Sequence, residues 1–69
     1  MNWDIVKGNW KQFQGQVRAQ WGKLTDDQLG VIDGRRVELA GKIQETYGIS
    51  REEAEKQIAE FEKRQAEKN

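Results

Sequence analysis

Apolar side chains recur through the first third of the chain at Val6, Trp10, Phe13, Val17, Trp21 and Leu24, in steps of four, three, four, four and three, with Trp3 a turn earlier. At about 100° per residue these positions fall within an arc of roughly 80°. The spacing predicts one amphipathic helix over about residues 3 to 22, with an aromatic face. Gly22 is placed to close it in the left-handed conformation. Thr25 with Gln28 three residues on has the form of a capping box, and Asp26 and Asp27 suit the first turn of a second helix. That helix should reach about Asp33 and point Leu29 and Ile32 inward, with Gly34 interrupting it. A third helix should bury Leu39, Ala40, Ile43 and Tyr47 and close at Gly48. Ser50 with Glu53 is a second capping-box pattern, opening a fourth helix that carries Ala54, Ile58 and Phe61. The polar tail over residues 62–69 is expected to fray.

A shift of 26 residues lays Gly8, Phe13, Gly15, Val17, Trp21 and Gly22 on Gly34, Leu39, Gly41, Ile43, Tyr47 and Gly48. Each half then reads as a long helix, a glycine-containing turn, a capping box and a second helix, which is an αα-hairpin given twice. Neither hairpin can bury its apolar stripe alone, so the two should pack face to face. The expected fold is all-α: a small four-helix domain of two packed αα-hairpins. Its single core should centre on Trp10, Phe13, Val17, Trp21, Leu29, Ile32, Leu39, Ile43, Tyr47, Ile58 and Phe61.

Gly15 and Gly41 stand inside helices at matched places of the repeat. Each should cost up to about 1 kcal/mol against alanine. They lie about 160° and 150° from the centres of their helices' apolar arcs, so close packing in the core does not explain them. Three readings stay open: close approach of a partner's backbone or a phosphate, deliberate lability, or relics of the repeat.

Composition narrows the chemistry. At 69 residues the chain makes one domain, residues 1–69, with little core to spare. It has no cysteine, histidine or proline. Disulfides, thiolate metal sites and the commonest neutral-pH base are therefore absent. Twelve basic and twelve acidic residues cancel, although residues 5–24 hold Lys7, Lys11, Arg18 and Lys23 and no acid. No apolar run approaches the roughly 20 residues of a membrane span, and the first residues lack the form of a secretory signal, so a cytoplasmic protein is expected.

Candidate sites are few. The spacings Gly15…Gly22-Lys23 and Gly34…Gly41-Lys42 do not fit a phosphate loop, because Leu24 or Ile43 follows the lysine where a hydroxyl is needed. Asp26-Asp27 and Glu52-Glu53 suit helix first turns better than a catalytic pair, and Asp33-Gly34 lacks the alternating acids of a calcium loop. Lys7, Lys11 and Arg18 fall within about 40° of one another on the first helix, between the apolar and glycine arcs. With Lys23, and with Arg35 and Arg36 if these lie nearby, they form a candidate contact face for nucleic acid or another partner. The competing reading is a solvated face whose aliphatic stems cover the edge of the core. Trp3, Trp10 and Trp21 could stack on bases, but their spacing places them in the core, with Trp3 the most exposed.

The runs GNWKQFQGQVRAQWGKLTDDQL, DGRRVELAGKIQETYG and SREEAEKQI resemble the CsbD-like family of small bacterial stress proteins, over about Asn2 to Phe61. The most specific phrases lie at Trp10 to Asp27 and Gly41 to Gly48. The resemblance implies orthogonally packed helical hairpins similar to SAM-domain-like architectures and expression under osmotic or stationary-phase stress. It implies no cofactor, catalytic residue or defined ligand. The polar, glycine-containing composition also looks like hydrophilins, which are often disordered, but the aromatic stripe argues for a folded chain. The expected function is thus that of a non-enzymatic stress-response protein with a protective or interaction role. The alternative is a nucleic-acid-binding module. Partners would be other proteins or nucleic acid, and neither a membrane nor a small-molecule substrate is indicated.

Overall fold

The first apolar stripe is carried by two helices. In a computed structural model, which describes residues 2–67, α1 spans Trp3–Gly8 and α2 spans Trp10–Gln20, with Asn9 between them at φ −121°, ψ 34°. The expected single helix over residues 3 to 22 is corrected here. Gly8 and Asn9 are weak helix formers in succession, and asparagine competes for backbone partners. Asn9 Nδ2 donates to the Ile5 carbonyl at 3.2 Å, while the Asn9 carbonyl accepts from Gln12 N at 2.9 Å and starts α2. The kink leaves Val6 and Trp10 buried on either side of it.

Three helices follow: α3 Asp26–Ile32, α4 Arg36–Tyr47 and α5 Arg51–Glu67. The described residues are therefore all-helical, with five helices in place of the four expected and no strand. Both halves of the Thr25 capping box are made: Gln28 N donates to Thr25 Oγ1 at 3.1 Å, and Thr25 N to Gln28 Oε1 at 2.8 Å. The Gln28 amide then donates to Thr46 Oγ1 at 3.0 Å and ties α3 to α4. Ser50 Oγ accepts from Glu53 N at 3.1 Å ahead of α5. Gly48 closes α4 in the left-handed region, at φ 64°. Gly22 does not play that part for α2, since Asp33, Gly34 and Gly48 alone have positive φ among the described residues. That helix ends at Gln20 because Trp21 leaves the helical conformation to enter the core. Its indole donates to Gln57 Oε1 at 2.9 Å, and its ring lies 5.3 Å from that of Phe61 at a 50° tilt. α5 remains helical through Glu67, so the segment expected to fray is ordered helix to that point; Lys68 and Asn69 lie outside the described residues.

α4 is the central element, packed against both α3 and α5. It buries Leu39, Ala40 and Ile43 beneath Leu29 and Ile32 of α3 and Ala54, Ile58 and Phe61 of α5, in one cluster completed by Val6, Trp10, Val17, Trp21 and Leu24. Phe13 and Tyr47, expected at the centre, are half-buried at its edge. Trp3 is also partly exposed, as its place at the start of the stripe suggests.

Candidate functional surface

The six candidate basic residues divide into engaged and free-standing groups. Arg18 Nη1 lies 2.7 Å from Asp26 Oδ1, bridging α2 to the first turn of α3. Both side chains are about half exposed or more, so the pair contributes at most about 1 kcal/mol and leaves Arg18 at the surface beside the first turn of α3. Arg36 is more firmly held. Its Nη1 donates to both carboxylate oxygens of Glu55, at 3.0 and 2.7 Å, and its Nε to Glu62 Oε2 at 3.3 Å. The Glu55 hydrogen bonds raise the Arg36 pKa above its ordinary value despite partial burial, with Glu62 adding to the shift. Arg36 in turn holds Glu55 below the usual carboxylate range. Lys23 Nζ sits 5.5 Å above the Tyr47 ring, and its backbone N–H donates to the Tyr47 hydroxyl at 3.1 Å.

Lys7, Lys11 and Arg35 remain at the surface around the α1–α2 kink and the α3–α4 turn. Lys7 and Lys11 border one shallow depression of about 430 Å³, together with Asp33. Lys7 and Arg35 border a neighbouring one of about 420 Å³, with Asp4 and Glu38. Arg35 also donates from Nη2 to the Val31 carbonyl at 2.8 Å. The three cations are thus interleaved with three acids. No group of three or more His, Cys, Asp or Glu side chains converges as a metal site among the described residues.

Gly15 and Gly41 each border a further depression, beside Phe61 and Arg64 in the first case and beside Lys42 and Arg51 in the second. A Cβ on either glycine would meet nothing within 4 Å. Next to Gly15, Gln16 Oε1 is buried without a hydrogen-bond partner.

Trp3 Nε1 donates to Glu62 Oε2 at 2.6 Å, a link between residues 59 positions apart that no local spacing encodes. The only available signal was that an indole half-buried at a helix start needs an acceptor.

The pattern of the CsbD-like family matches residues 4–56. The chain belongs to the CsbD-like family. It is 56% identical over 64 residues to the UPF0337 protein YjbJ of Escherichia coli O6:H1, covering 93% of each chain, and 55% identical over the same length and coverage to YjbJ of Escherichia coli K12. The UPF0337 protein ECA0631 of Pectobacterium atrosepticum is 56% identical over 62 residues, covering 90% of each chain. The CsbD-like match begins inside α1 and ends inside α5, so it takes in the kink at Asn9, the Gly34 turn and Arg36 with Glu55, while Trp3 and Glu62 fall just outside it. No helix of this CsbD-like chain is long and apolar enough to cross a membrane among the described residues.

Proposed function

We propose that this CsbD-like protein is a non-enzymatic, cytoplasmic stress-response protein that protects or contacts other proteins through its surface. The observation that carries the reading is the clean division of the molecule. Among the described residues every buried core residue is apolar and no polar or charged residue is buried, while charges of both signs lie on the outside. A catalytic acid or base is normally tuned by deep burial beside a charged neighbour, whereas the two shifted groups here, Arg36 and Glu55, are each about a third exposed and paired with each other. A surface of mixed charge with zero net charge favours many weak contacts over one strong one. The repeat in the sequence supports reading the fold as two related hairpins of SAM-domain-like form, the first of them kinked at Asn9. The test is to dry a labile enzyme with the folded protein or with an equal mass of an inert protein, and to measure activity on rehydration. Greater recovery with this protein supports the role, and equal recovery removes it.

The adjacency of Lys7 to both Lys11 and Arg35 favours a second reading, contact with a nucleic-acid backbone. Titration of RNA and duplex DNA at low salt should then shift amides around Lys7, Lys11 and Arg35, and added salt should abolish the shifts. Unchanged spectra would remove this reading.

A further inference from the structure

α1 is the shortest helix and the least firmly seated. Its six residues are far below the length at which a helix is stable alone in water. It buries one side chain fully, Val6, while Trp3 packs partly against the core. Its main helical neighbour is α2, from which the non-helical Asn9 divides it. Beyond that packing, two further contacts reach it away from the joint. The Trp3 indole donates to Glu62 Oε2, an oxygen that also accepts from Arg36 Nε, and the Lys7 backbone rests on Gly34. Elements with few buried apolar contacts open locally at a lower free energy than the whole fold.

We propose that α1 is a strap that swings out as a unit about the Gly8–Asn9 joint, and that Glu62 sets how often it does so. The swing lifts Val6 and Trp3 from the core.

Hydrogen exchange by NMR on the intact protein tests the strap. The backbone amides of Lys7, Gly8 and Asn9 should exchange at least about tenfold faster than the Trp10 indole N–H, which donates to the Leu29 carbonyl in the core, and should respond less to added denaturant. Glu62→Ala, which keeps a good helix former in α5, should speed those three amides by about tenfold and leave the Trp10 indole unchanged, since a hydrogen bond to a charged group is worth at least that factor. Glu62→Gln, which keeps an acceptor but loses the charge, should fall between, and Glu60→Ala on the same helix should change nothing. Exchange of α1 in step with the Trp10 indole, or equal acceleration of both by Glu62→Ala, overturns the strap, as does no acceleration at all.

Discussion

A methyl group on Gly34 would stand 2.5 Å from the Cα of Lys7. Gly34 also holds φ at +76°, so the turn between α3 and α4 needs glycine for its own conformation and again for the backbone that crosses it. Gly34→Ala should therefore destabilise the fold by more than about 1 kcal/mol, since both the strained φ and the displaced backbone add to the cost. A urea denaturation midpoint well below the parent's checks this, and an unchanged midpoint contradicts it.

Gly15→Ala and Gly41→Ala should act in the opposite direction. Neither glycine has a positive φ, and an added Cβ meets nothing within 4 Å at either site. Each substitution should stabilise by up to about 1 kcal/mol and raise the melting temperature by several degrees. A fall in melting temperature for either variant would show that its backbone is used in a way that free space does not reveal.

Removal of the Thr25 hydroxyl breaks one half of a complete capping box. Thr25→Ala should cost about 1 kcal/mol. It should also loosen the Gln28 contact with Thr46, which can be followed through the Gln28 side-chain amide resonances. A variant as stable as the parent would mean that the seven-residue α3 is held by Leu29 and Ile32 alone.

The Arg36–Glu55 pair predicts how the fold responds to acid. The carboxyl of Glu55 is held below its ordinary value of 4.5, so its contribution is complete above that pH and is lost as pH falls through the lower folded-state value. Both side chains are about a third exposed, which limits the effect to about 1 kcal/mol or less. The stability difference between the parent and Glu55→Gln should be positive at pH 7 and shrink steadily as pH falls below 4.5. A difference independent of pH would show that the ion pair contributes nothing through its charge.

Most of the helix boundaries could be read from local chemistry. Thr25, Ser50 and Gly48 act where short-range rules place them, because a cap involves neighbours within one turn. Phe13 and Tyr47 show the limit of an apolar pattern. The pattern names the face a residue shares but not how deep on that face it sits, and both lie at the edge of the core. The candidate surface was less legible. Arg18 and Lys11 share a helix and a charge, yet Arg18 is engaged by Asp26 from a different helix. Helix-wheel arithmetic cannot register acids that arrive from elsewhere in the chain.

The rhythm of apolar residues by itself determined that this protein is helical, that its aromatic stripe turns inward, and where most of its turns fall, because those choices are made by side chains one helical turn apart. The bend at Asn9 is also local in origin, while tertiary structure alone decided that Trp21 rather than Gly22 ends α2 and that Glu62 fastens α1 from the far end of the chain. Those outcomes depend on hydrogen bonds and packing between residues tens of positions apart, whose free energies exceed the small local preferences they override.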